Sequence, residues 1–202
     1  MSRLTDSKPM SDAIPIAAVI AGGAGSRLGG AKPSTLLAGK PMVTWPLGAA
    51  TAAGLETIVV AKPDTELPGL DVEVLLESDP LTHPLTGILA ALEANPGRPV
   101  IALACDLPFV PAALLSELAT HAGTATIEAG GRLQPLIARY EPEAAPAIRT
   151  ALCRGESASA VLERLGPRVL RDGELSRFGD PDLIAFNVNT PEQLAEAEGR
   201  LG

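Results

Sequence analysis

The apolar run Ile16-Ala17-Ala18-Val19-Ile20 passes without a break into a loop that carries Gly22, Gly23, Gly25, Gly29 and Gly30, with Arg27 and Lys32 on the same stretch. A run of that kind predicts a buried strand. Glycines directly after it leave no Cβ to block an anion's approach, and they permit φ > 0 wherever successive amides must converge on one oxygen. Ile14 to Lys40 is therefore expected to be a strand feeding a phosphate-binding loop, with Ile20, Ala21, Gly22, Gly23 and Gly25 against a nucleotide and Arg27 and Lys32 on its charges. Two familiar schemes are excluded. Leu28 stands where the dinucleotide fingerprint needs its third glycine, and Gly39-Lys40 is followed by Pro41 where a Walker loop needs Ser or Thr.

Composition narrows the partners. A chain of 202 residues suits one α/β domain, and with 46% apolar but only 2% aromatic residues its core must be Ala, Leu, Val and Ile. The net charge of −8 argues against general nucleic-acid binding, because no basic stripe is present to displace counterions; positive charge is local, at Arg27, Lys32 and Lys40. Cys105 and Cys153 have no CxxC spacing, and two histidines offer no zinc set. They read as reduced thiols of a cytoplasmic protein. No membrane segment or signal peptide is evident, residues 1–13 are expected to be a disordered tail, and residues 14–202 a single domain.

The rest of the chain first alternates strand and helix. A helix over Met42–Ala53, a β-branched strand Thr57–Ala61, a short strand Val72–Leu76 and an amphipathic helix through Leu85, Ile88, Leu89 and Leu92 follow in turn. Val100–Ala104 is the most buried-looking strand, followed by a helix beginning at Pro111. Later the pattern changes. Thr124–Glu128 and Leu136–Tyr140 read as strands joined by a turn at Gly130-Gly131, and Glu143–Leu165 as two short helices broken at Gly155. Thr190-Pro191-Glu192-Gln193 is a capping-box start for a last helix. The fold expected is a three-layer α/β/α Rossmann-like sandwich with a mainly parallel mixed sheet and an antiparallel insertion.

The strand Val100–Ala104 delivers Cys105-Asp106-Leu107-Pro108-Phe109 at its carboxyl end, the edge where open α/β sheets bind ligands. A carboxylate there can hold Mg²⁺ against nucleotide phosphates, which makes Asp106 the candidate metal ligand.

Several stretches together resemble the molybdenum cofactor guanylyltransferases, nucleotidyltransferases with a Rossmann-like fold. Ile20-Ala21-Gly22-Gly23, then Arg27-Leu28-Gly29-Gly30, Lys32 and Leu36-Leu37-Ala38-Gly39-Lys40-Pro41, is similar to the family's LAGGxxxRMGGxDKxLxxLxGKPL, with the Asp before the lysine missing. Cys105–Phe109 is similar to its CDxPF segment, whose Asp binds Mg²⁺. Asp79 to Leu92 is similar to its D…GPLxGIxxAL, with His83 in place of Gly. By this resemblance Asp79 would face guanine's N1–H and amino group, although Asp79 before Pro80 is equally an ordinary turn. Arg132-Leu133-Gln134-Pro135-Leu136 and Asn187-Val188-Asn189-Thr190-Pro191-Glu192 are similar to its acceptor strand and its asparagine-bearing close, which puts Gln134, Pro135, Asn187 and Asn189 on the acceptor side.

The resemblance implies transfer of GMP from GTP to the phosphate of molybdopterin or another phosphorylated small molecule, with Mg²⁺ bound and Arg27, Lys32 and Asp106 catalytic. A cytidylyl or sugar-phosphate nucleotidyltransferase of the same fold stays open, as does a nucleotide-binding regulatory module without turnover.

Overall fold

The structure, a computed structural model, describes residues 13–22 and 32–201. Gly23, Gly25 and Arg27 lie outside the described residues, as does nearly all of the expected tail.

Nine strands and eight α-helices follow one another among the described residues. The main sheet contains β1 (Ile16–Ile20), β4 (Glu56–Ala61), β5 (Glu73–Leu76), β6 (Val100–Ala104), β7 (Ala125–Ala129), β8 (Arg132–Tyr140) and β9 (Arg168–Leu170) in the order β5-β4-β1-β6-β8-β7-β9. β5, β4, β1 and β6 are parallel, β8 is antiparallel to both of its neighbours, and β9 runs parallel to β7. This is the expected mainly parallel sheet with an antiparallel addition. A small hairpin of β2 (Leu36–Leu37) and β3 (Lys40–Pro41) stands apart.

Side-chain alternation sorts the core onto two faces. In β1, Ala17 and Val19 join one cluster with Leu47, Leu114, Leu115 and Leu118, from α1 (Thr44–Ala52) and α3 (Ala112–Thr120). Ile16, Ala18 and Ile20 join the other, with Leu85, Ile88, Ile148 and Val161 from α2 (Pro84–Ala94), α4 (Ala145–Arg154) and α5 (Ala158–Arg164). Both faces are covered, which is why the parallel strands are apolar throughout.

The first helix begins at Thr44 and not at Met42; the two residues before it are tied back to the preceding segment, Met42 N–H donating to Thr35 O at 2.8 Å and Val43 N–H to Pro33 O at 3.1 Å. β8 starts four residues before the expected Leu136. Pro135, which has no N–H, sits where the β7/β8 register shifts, so the strand carries a proline without losing a ladder bond elsewhere. The turn between them holds Gly130 at φ 57° and Gly131 at φ 69°, the conformation a two-residue hairpin loop requires. Short elements α6 (Asp172–Leu175) and α7 (Pro181–Ile184) lead to α8 (Pro191–Leu201).

Candidate active site

Four parallel strands end along one edge; three of them hand a charged residue to it and β1 hands on a glycine. Gly22 follows β1, Lys62 follows β4, Glu77 follows β5, and Asp106 lies just past β6. β8 arrives from the opposite direction, so its early residues reach the same edge; Leu103 of β6 pairs with Ile137. Between these strand ends and the start of α2 lies an open cleft lined by Ile20, Gly22, Lys32, Glu77, His83 and Asp106 among others.

Three groups meet at the β6 end. Lys32 Nζ donates to Asp106 Oδ2 and, at 2.5 Å, to Asn189 Oδ1. The lysine and aspartate side chains are 12% and 9% exposed, so the pair is shielded from bulk solvent. Asn189 is held by its own segment. Val188 N–H donates to Asp106 O at 3.0 Å, and Gln193 Oε1 accepts from Asn189 N–H at 2.8 Å and Thr190 N–H at 3.1 Å. Thr190 Oγ1 accepts from Gln193 N–H at 3.3 Å, completing the capping box of α8. Phe109 and Phe186 meet edge to face with ring centres 6.1 Å apart, packing the segment after Asp106 against the one before Asn187.

Asp106 Oδ1 is buried and has no hydrogen-bond partner among the described residues. A buried carboxylate oxygen left this way is where a hard cation belongs. Among the described residues no group of three or more His, Cys, Asp and Glu could hold a metal. One protein carboxylate with the remaining positions open to water and phosphate is the pattern Mg²⁺ favours, so Asp106 fits that ion. Cys105 next to it is no nucleophile: burial, with the Asp106 charge adding to it, pushes its thiol up to about 12.

The other residues singled out from sequence divide. Ile20, Gly22, Lys32, Asp106 and Asn187 line the cleft, and Asn189 touches Lys32. Ala21 is buried, its N–H bonded to Val60 O at 2.8 Å. Asp79 is exposed and closes a turn in which its Oδ1 accepts from Leu81 N–H at 2.9 Å, outside the cleft lining. Gln134 turns its amide to Ala129 O and Arg132 O within its own hairpin, and Pro135 O accepts from the Tyr140 hydroxyl; Leu136 is the part of β8 that lines the cleft. Lys40 lies 5.5 Å from the centre of the Trp45 ring, on the small hairpin.

Sequence reasoning passed over Lys62, Glu77 and Thr86. Lys62 Nζ bridges both Glu77 oxygens, at 2.8 and 2.9 Å, and Thr86 donates its hydroxyl to Glu77 Oε2 at 2.9 Å. A signal was available: Glu77 directly follows a strand of the parallel half, as Asp106 does.

Parallel strands delivering a shielded lysine–aspartate–asparagine constellation to an open cleft define a phosphate-handling α/β domain of the nucleotidyltransferase type. The chain belongs to the MobA-like NTP transferase domain family, whose model matches residues 17–169. It is 36% identical over 191 residues to a molybdenum cofactor guanylyltransferase of Cereibacter sphaeroides, covering 91% of this chain and 95% of that one. A relative of the same name from Rhodobacter capsulatus is 32% identical over 189 residues, covering 91% and 94%. The crystal structure of molybdopterin-guanine dinucleotide biosynthesis protein A from Archaeoglobus fulgidus superposes with a TM-score of 0.76 at 25% identity, covering 92% of this chain and 97% of that one. That of 2-C-methyl-D-erythritol 4-phosphate cytidylyltransferase from Thermus thermophilus, at 20% identity and a TM-score of 0.65 over 92% and 98%, shares the fold.

Proposed function

We propose that this protein transfers GMP from GTP to the terminal phosphate of molybdopterin and releases pyrophosphate. The observation that carries the reading is Asp106 and Asn189 converging on Lys32 at the carboxyl edge of a domain from this family. The acceptor phosphate is already an anionic nucleophile. It attacks the α-phosphorus, the bond to the bridging oxygen of pyrophosphate breaks, and the electron pair leaves with pyrophosphate. No covalent enzyme intermediate is needed, in keeping with the protonated, buried Cys105.

The protein's part is orientation and charge neutralisation. Lys32, freed from Asp106 by the arriving phosphates, would place its ammonium against them, and Arg27 would do the same from the glycine loop. Asn187 and Asn189, anchored through Val188 and Gln193, would position the acceptor, with Gln134 and Pro135 on the same side. Asp106 would hold Mg²⁺, which when bound supplies further neutralisation of the charge developing on the phosphates. Asp79, engaged in its own turn, is given no part in holding guanine. Among the described residues no helix is long and apolar enough to cross a membrane, and we assign the reaction to the cytoplasm, where unpaired Cys105 and Cys153 stay reduced.

The test is pyrophosphate release from GTP with Mg²⁺ and molybdopterin, alongside binding of GTP, CTP, ATP and UTP. Acceptor-dependent release with GTP preferred supports the reading. A preference for CTP would favour cytidylyl transfer, and nucleotide binding without release a regulatory module.

A further inference from the structure

We propose that Lys62 and Glu77 are positioning residues for base discrimination: a shielded ion pair that fixes the segment between β5 and α2 as the wall against which the purine's six-position is read. This rests on the guanylyl-transfer reading.

Strand order gives the direction. The phosphates belong with the loop after β1 and with Asp106 beyond β6, so the base extends toward β4 and β5. Glu77 lies three strands from Asp106, about 14 Å at about 4.8 Å per strand, which is within a nucleotide's reach.

Glu77 is 6% exposed and lines the cleft, and its carboxylate is engaged by its own neighbours. Its Oε1 accepts from Lys62 Nζ and the Asp79 N–H, at 2.9 and 2.7 Å; its Oε2 lies 2.8 Å from Lys62 Nζ and 2.9 Å from the Thr86 hydroxyl, which also has the His83 carbonyl in reach at 2.7 Å. A carboxylate held by a lysine, a backbone amide and a hydroxyl organises its surroundings and leaves the reading of a ligand to something else. Lys62 Nζ then reaches past it to the Asp79 carbonyl and, at 2.8 Å, to the Leu81 carbonyl. Because the peptide is planar and trans, fixing the Leu81 carbonyl also fixes the opposed Thr82 N–H, and Thr82 lines the cleft. A fixed backbone donor matches guanine's O6 and opposes adenine's amino group.

A pair that served only stability would change melting and leave base preference alone. The double variant Lys62→Met/Glu77→Gln removes both charges together, so no buried charge is stranded. Calorimetric titration with GTP and with ATP, Mg²⁺ present, compares it with the wild type. The expected result is a cooperatively melting protein whose GTP:ATP preference has fallen about fivefold or more, with KM for GTP raised by a larger factor than kcat is lowered. Should the double variant not fold, Glu77→Gln alone, nearly isosteric, is expected to show the same loss in smaller measure. A wild-type ratio retained in the folded variant overturns the inference and leaves guanylyl transfer standing. Equal affinities in the wild type itself overturn guanylyl transfer and the inference with it.

Discussion

A Cβ placed on Gly87 would lie 2.8 Å from Cγ2 of Ile20, closer than real contacts allow. Helix α2 therefore approaches β1 so nearly that only glycine fits, and this approach brings the start of the helix down to the cleft. Gly87→Ala is expected to lower stability by about 1–3 kcal/mol through overpacking. Gly48, in α1 with nothing near its missing Cβ, is the control: Gly48→Ala should raise stability by up to about 1 kcal/mol. Urea midpoints of the two variants decide it.

Lys32 is the shielded partner of Asp106, so its removal acts on both folding and turnover. Lys32→Ala is expected to reduce the stability of the ligand-free protein by about 3 kcal/mol, because a buried carboxylate is left unpaired. It should also lower kcat by about 10²- to 10³-fold. Adding Asp106→Asn to that variant should restore the melting temperature and leave turnover low. Recovery of both together would show the pair to be structural.

Asp106→Asn alone keeps the shape of the side chain and removes a charged ligand for a hard cation. Turnover titrated with Mg²⁺ should lose its saturable response in this variant. An unchanged Mg²⁺ curve would place the metal elsewhere.

Cys105 gives a pH prediction. Its thiol rises from 9.0 to about 12 in the folded protein, first through burial. Unfolded chains ionise near 9 while the folded state stays neutral, so the contribution is fully present below pH 9 and is lost as pH climbs toward 12. Stability of the wild type should fall by about 1.4 kcal/mol per pH unit over that range on account of this group. Cys105→Ala should fall less steeply, as urea unfolding at pH 8 to 11 would show.

Gln193 satisfies two amides ahead of α8, one of them that of Asn189. Gln193→Ala should lower stability by about 1 kcal/mol and raise KM for the acceptor, while Glu196→Ala on the exposed side of the same helix does neither. Steady-state kinetics with acceptor varied would separate the two.

Much of this arrangement was legible before any coordinates, for identifiable reasons. β1 and β6 are buried on both faces and so are written as unbroken apolar runs, and Asp106 was found because it ends one of them. The capping box at Thr190 and Gln193 is local chemistry and survived intact. Lys62 and Glu77 escaped because their meaning is nonlocal: fifteen residues separate them, and nothing in either neighbourhood says that β4 and β5 are adjacent. Asp79 drew attention that its turn with Leu81 accounts for. β9 was missed because its three residues take their strand character from β7.

The reversal at β8 divides the edge into two kinds of construction. On the side of β5, β4, β1 and β6 each strand exits toward the ligand, so the connections there can lengthen or shorten without disturbing which face any side chain occupies. β8 enters, from a two-residue turn at Gly130 and Gly131, and a single inserted residue in that turn would rotate every following side chain to the opposite face until the irregularity between Leu133 and Ala138 absorbed it. Insertions in one half are thus free to drift, while those in the other are discrete steps between alternatives. Any engineering that aims at a new acceptor from the β8 side must change the hairpin in pairs of residues, and any that aims at a new nucleotide can work one residue at a time.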